Sequence, residues 1–280
     1  MEHEPQNNSC NESEPYLPGH VTDEELAEIA EDVPLARLEI EAVRAEINTC
    51  GEEPAEVLLR AVSEYRVVAL GEIHLGRNAH RVYCARMMMR LKAAGATHLA
   101  LEIDAEDQPV LDLFADSGAL DRGKLPCLLR DDCYFELLKA ARQAGLKLVA
   151  ADTRSRRWRD RHMADTIGAV LDADPQARVV FWVGGGHLLD RRGDRPVSTA
   201  AVLLREKYSV CAIKAQTFWN ESGTLGPLTR KLCKPVAVRT EPAGVIGGLQ
   251  DSFPFDDEYF ERYRYWDYVF IYPPAYAMDD

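Results

Sequence analysis

Val67-Val68-Ala69-Leu70-Gly71-Glu72-Ile73-His74 is a short apolar run that stops at a glycine followed by two ionisable side chains. A run of this length and punctuation predicts a strand buried on both faces that delivers its chemistry at its carboxyl end, as parallel strands do. Three segments downstream repeat the pattern. They are His98-Leu99-Ala100-Leu101 before Glu102, Leu146-Lys147-Leu148-Val149-Ala150-Ala151 before Asp152, and Val179-Val180-Phe181-Trp182-Val183 before Gly184-Gly185-Gly186-His187. Helical periodicity fills the intervals, at about 54–64, at about 77–94 with Gly95 as its stop, from near Pro109, at 131–144 and up to about 172. Strands alternating with helices of this length give an α/β fold, a mostly parallel central sheet with helices on its faces. Ligands of such sheets bind outside the carboxyl ends of the strands, so His74, Glu102, Asp152 and His187 are expected to meet at one rim.

Working outward, Tyr208 to Ala215 predicts a fifth strand and Trp266 to Tyr272 a last one. Between them, residues 217–250 are rich in glycine and proline and extend the sheet or cover the site as loops. Arg191-Arg192-Gly193-Asp194-Arg195-Pro196 reads as a mobile loop and Val197 to Lys207 as a helix. At the other end, residues 1–20 are polar and read as a disordered acidic tail. Residues 21–52 read as a helical extension, with capping-box spacing at Thr22-Asp23-Glu24-Glu25 and a second start at Asp32 before Pro34. The expected organisation is this tail, this extension, and one α/β domain over 53–280.

Composition narrows the function classes. The chain has 280 residues, 46% hydrophobic and 28% charged, with no apolar run of membrane-spanning length. Met1-Glu2-His3-Glu4-Pro5 has neither the basic start nor the apolar core of a secretory signal, so a cytoplasmic location is expected. Seven cysteines without a C-x-x-C spacing argue against a disulfide framework and a thiolate zinc site. The net charge of -13 resides in the first 56 residues, which hold 16 Asp and Glu against 2 Arg. That balance argues against nucleic acid as the main partner. No membrane partner is expected, and a homodimer stays open.

Candidate chemistry lies at the strand ends. Gly71-Glu72-Ile73-His74 and Gly184-Gly185-Gly186-His187 are two copies of G-x-x-H in corresponding positions, each glycine letting a ligand approach the backbone. His80 falls in the first turn of the helix after the first strand, on one face with Cys84, Met87 and Leu91. Thr153 to Met163 is the most basic stretch; most of its arginines are expected to be solvated, with one or two clamping a carboxylate or phosphate.

Taken in order, Gly71-Glu72-x-His74, His80, Leu101-Glu102, Asp152 with Arg159-Asp160-x-x-Met163-Ala164, Gly184-x-x-His187 and a closing Trp266-Asp267-Tyr268-Val269-Phe270-Ile271-Tyr272 strand resemble the superfamily of ChaN-like haem-uptake proteins, Tiki-type metalloproteases and erythromycin esterases. The likeness runs from about residue 60 to 275, and His six residues after Gly-Glu-x-His is similar to the ChaN-like branch. The resemblance implies an EreA/ChaN-like sheet and a hydrolase of an ester or amide bond in a small molecule or peptide. In a metal-dependent version, Glu72, His74, Glu102 and His187 hold Mn, Fe, Co or Zn, which activates a water. In a metal-free version, His74 takes a proton from water, Glu102 orients it, and Arg159 or His187 stabilises the oxyanion. His80, Asp152 and Arg154 are the expected substrate-binding residues. The alternatives are a haem-binding or iron-binding protein of the ChaN type with a Tyr or His axial ligand, and a natural-product enzyme using the same metal site.

Overall fold

The computed structural model describes residues 37–72, 79–124, 130, 132–155, 157–188, 191–192, 195–196, 198–216, 232–240 and 266–273. The strands are β1 (Val67–Glu72), β2 (His98–Asp104), β3 (Lys147–Asp152), β4 (Val179–Gly184), β5 (Arg191–Arg192), β6 (Arg195–Pro196), β7 (Val210–Gln216), β8 (Val236–Arg239) and β9 (Tyr268–Ile271). Seven of them form one sheet in the order β3-β2-β4-β1-β7-β9-β8. Every pairing in it is parallel except that of β8 with β9. The helices are α1 (Arg37–Cys50), α2 (Pro54–Glu64), α3 (Ala79–Ala93), α4 (Gln108–Ser117), α5 (Asp132–Gln143), α6 (Arg159–Ala173) and α7 (Ala200–Arg205). None is long and apolar enough to cross a membrane among the described residues.

Strand alternation sorts the core into two layers. Val68, Leu70, Leu99, Leu101, Val180 and Trp182 pack against α2, α3, α4 and α5 on the first face. Val67, Ala69, Ala100, Val179, Phe181 and Val183 pack against α6 and α7 on the second. The chain leaves β1 through α3 on the first face and leaves β4 through α7 on the second. Because β4 lies between β2 and β1, these connections part at the middle of the carboxyl rim, the position at which α/β sheets bind ligands.

Glycine at position 71 is required by a close approach. A Cβ there would meet Leu188 Cδ1 at 2.8 Å and Gly185 Cα at 3.1 Å, because the 3-10 turn Gly185–Leu188 lies directly over the end of β1. Gly71→Ala is therefore expected to destabilise by about 1–3 kcal/mol through overpacking against the Leu188 side chain and the Gly185 backbone. Gly186→Ala, which meets nothing within 4 Å, should fall within about 0.5 kcal/mol of wild type. Urea midpoints compare the two directly, and equal midpoints would dispose of the steric argument.

The structure departs from the sequence expectations in two places. Arg191-Arg192 and Arg195-Pro196 are not a loop but pair antiparallel as a minimal hairpin. The helix expected from Val197 begins only at Ala200, since Thr199 is extended with φ -76 and ψ 165. Of 217–250, expected to extend the sheet or cover the site, Val236–Arg239 does extend it as the antiparallel edge strand β8, while residues 217–231 and 241–250 lie outside the described residues, as do the predicted tail and the first predicted helix.

Candidate functional site at the carboxyl rim

Glu102 sits one residue beyond the last β2–β4 pair, Leu101 with Trp182, and is in phase with Ala100 on the second face. Its carboxylate replaces the missing ladder partner, Oε2 accepting from the Gly184 amide at 2.7 Å. Its Oε1 accepts from Arg159 Nη2 at 2.5 Å. Arg159 is the first residue of α6 and also clamps Asp152 at the end of β3, with Nε at 2.9 Å from Oδ1 and Nη2 at 2.5 Å from Oδ2. Two carboxylates on one guanidinium hold its pKa above the usual arginine range, the hydrogen bonding to Asp152 being the largest cause.

His187 completes the group. Nδ1 lies 2.9 Å from Asp160 Oδ1, and Nε2 lies 3.5 Å from Glu102 Oε1. Asp160 Oδ1 also accepts from the Ala200 amide at 2.8 Å, which ties α6, α7 and the His187 turn together. Burial by itself would lower the imidazole pKa, but the hydrogen bonds it donates to Asp160 and Glu102 outweigh it and push it up to about 9. His187 is thus a cation at neutral pH, beside the cation of Arg159.

Glu72 and His80 lie elsewhere. Glu72 is in phase with Val68 and Leu70, so it points to the first face. There Arg81 of α3 grips both its oxygens, Nε to Oε2 at 2.7 Å and Nη2 to Oε1 at 2.6 Å, with the guanidinium over the Tyr134 ring. His80 is buried on that same face, stacked on Trp182 at 4.7 Å, with Nδ1 2.7 Å from the Tyr272 hydroxyl. Desolvation drives its pKa down to about 3, so it is neutral. Of the predicted residues, Glu102, Asp152, Arg159 and His187 come together. Arg154 reaches the edge of the group through Asp104, at 3.1 Å, with its side chain largely in solvent. His74 lies outside the described residues.

Two residues escaped the sequence reading. Asp160 adjoins Arg159 in the motif and could have been found as the partner its neighbouring histidine needs. Arg81 gave no signal, since an arginine on a helix ordinarily reads as solvated.

The described donors fit a divalent cation poorly. Glu72 and Asp152 each give both oxygens to an arginine, Glu102 is shared between Arg159 and an amide, and His187 has a carboxylate at each ring nitrogen. No group of three candidate ligands forms a metal site among the described residues. For haem, His187 has a carboxylate at each nitrogen and His80 is sealed in the core. Tyr259, Tyr263 and Tyr265 lie outside the described residues.

No protein-family model and no curated protein sequence matches the chain. Solved structures do match in fold. A Bacillus cereus protein superposes with a TM-score of 0.54 over 78% of this chain and 90% of that one, at 12% identity. ChaN of Campylobacter jejuni, in a structure of cofacial haem binding, superposes with a TM-score of 0.50 over 78% and 91%, also at 12% identity. The chain has a ChaN-like fold. RRSP, a MARTX toxin effector domain from Vibrio vulnificus, matches at 19% identity and a TM-score of 0.45 over 70% of this chain, which spans only 46% of that one. At these identities the likeness establishes the ChaN-like architecture and leaves the chemistry to the residues themselves.

Proposed function

We propose that the protein hydrolyses an ester or amide bond, in a small molecule or peptide bound at the carboxyl rim. The observation that carries this reading is the pair of preorganised cations, Arg159 and the His187 imidazolium, held by Glu102, Asp152 and Asp160 at the crevice. Arg159 Nη1 has no acceptor among the described residues, so it is the donor left for a substrate oxygen. Fixed donors aimed at developing negative charge are the largest single contribution to acyl transfer. His74, two residues past Glu72 in sequence, takes the proton from the attacking water in this reading, and Glu102 holds the cations at a fixed separation.

Glu102→Gln tests it. Removing the shared negative charge leaves Arg159 held by Asp152 alone and lowers the charge on His187, and turnover of any accepted ester should fall about 100-fold or more. A panel of small esters and peptides, with circular dichroism as the folding control, measures this. Unchanged turnover across the panel in a folded variant would sink the assignment.

Haem binding is the second reading, favoured by the fold shared with ChaN. It requires a Soret band on adding haem that disappears when Tyr259, Tyr263 and Tyr265 are replaced together by phenylalanine. A band unaffected by that replacement would exclude these tyrosines as ligands.

A further inference from the structure

His187 offers its two ring nitrogens on different terms. Nδ1 lies 2.9 Å from Asp160 Oδ1, an oxygen that also accepts from the Ala200 amide at 2.8 Å. That carboxylate is fixed both by its own helix, α6, and by the start of α7, so the Nδ1 proton is held in place. Nε2 lies 3.5 Å from Glu102 Oε1, longer than an ordinary N–H···O bond, and that oxygen already accepts from Arg159 Nη2 at 2.5 Å. The imidazolium thus has one proton bound firmly and one held loosely, and the loose one faces Glu102 and Arg159.

Hydrolysis of an ester or amide has a use for such a proton. When the bond to the carbonyl carbon breaks, a poor leaving group must be protonated as it departs. Arg159 does not supply that proton, because two carboxylates hold its pKa above the usual arginine range. Glu102, Asp152 and Asp160 accept hydrogen bonds from cations and amides. Of these five residues, His187 alone carries a proton that it can release. Other charged residues lie on elements packed against the His187 turn, but each is directed elsewhere. Glu72 of β1 is gripped by Arg81 on the opposite face, and Arg205 of α7 is paired with Asp267. Lys214 of β7 is buried with its Nζ over the Trp266 ring at 4.4 Å.

We propose that His187 is the general acid of the reaction, giving its Nε2 proton to the leaving group, and that Asp160 is the positioning residue that turns Nε2 toward the site. The inference rests on the hydrolase reading and deepens it, since the imidazolium now moves a proton as well as carrying a charge. Water adds to the carbonyl carbon, forming a carbon–oxygen bond, as the base of that reading takes one of its protons. The bond to the leaving group then breaks, and its electron pair takes the Nε2 proton. His187 is left neutral with its remaining proton on Nδ1, where Asp160 Oδ1 accepts it. The base releases a proton to solvent and Nε2 regains one, so the protein ends unchanged.

Leaving-group dependence tests this role. A general acid matters for a poor leaving group and little for a good one, whereas a fixed positive charge serves both alike. The ethyl and para-nitrophenyl esters of one acid accepted by the wild-type protein are compared by kcat and KM, with circular dichroism as the folding control. His187→Gln should lose about tenfold more kcat on the ethyl ester than on the para-nitrophenyl ester. Asp160→Asn keeps an oxygen for the Ala200 amide and for Nδ1 but removes the charge. It should lose kcat in the same order, with KM within about twofold. Its alkaline loss of activity should begin about one pH unit lower or more, because without the carboxylate the ring gives up its proton sooner. Equal losses on the two esters in His187→Gln would overturn the acid role, and an unmoved alkaline limb in folded Asp160→Asn would overturn the role of Asp160. Either result leaves the hydrolase reading standing. A wild-type protein that turns over no ester or peptide would end that reading and the acid role with it.

Discussion

Replacing Arg81 by methionine is expected to destabilise the protein by about 3–5 kcal/mol. Glu72 and Arg81 are 4% and 0% exposed, so removing the guanidinium takes the cation away from both oxygens of a carboxylate that water cannot reach. The cost comes from that lost compensation and not from the value of the pair itself. Glu72→Met combined with Arg81→Met should therefore recover most of the loss, because the Coulombic gain of a buried pair roughly offsets its desolvation. A surface pair of the same length separates the two effects. Arg60 and Glu52 also lie at 2.6 Å, but their side chains are 41% and 36% exposed, and Arg60→Ala should cost under about 1 kcal/mol. Urea unfolding of the three variants beside wild type decides it. A single Arg81→Met costing less than Arg60→Ala, or a double variant as unstable as the single, would refute the account.

The strand ends were legible because burial on both faces leaves a continuous apolar signature, and Val67–Glu72 and Val179–Gly184 follow it closely. Which side chains meet was only half legible. Alternation puts Glu72 in phase with Leu70 and Glu102 in phase with Ala100, but a sequence does not say that β4 inserts between their strands. Without that order, Glu72 and Glu102 look like neighbours in one ligand set, whereas they face opposite layers. The role of Arg81 was hidden for a related reason. Its partner lies nine residues away, and only the fold brings it under the sheet. Likewise the Arg191–Pro196 hairpin carries turn residues, as any loop would, and too few strand residues to show a period.

His187→Gln should lower turnover by about 100-fold to 1,000-fold, because it removes one of the two positive charges beside the developing negative charge. It should also change how the protein responds to pH. The His187 pKa is raised from its ordinary 6.5 to about 9, so the stability it contributes is complete below pH 6.5 and is lost as pH rises through 9. Two and a half pH units correspond to about 3 kcal/mol, an order-of-magnitude figure for a side chain only 18% exposed. His80 acts in the opposite sense. Its pKa is depressed from 6.5 to about 3 by burial, so between those values the unfolded chain binds a proton that the folded chain refuses, and stability falls on acidification. The two histidines together predict a stability maximum between them, near pH 6.5. Urea midpoints at pH 5, 6.5 and 9.5 should show both limbs in the wild type, and in His187→Gln the alkaline limb should flatten while the acid limb persists. The same variant separates charge from shape at the crevice. Glutamine keeps a donor for Asp160 and fills a similar volume, so a folded His187→Gln that still turns over ester at the wild-type rate would mean that the imidazolium only braces α6 against α7. Activity that disappears, with wild-type activity itself lost above about pH 9, requires the positive charge.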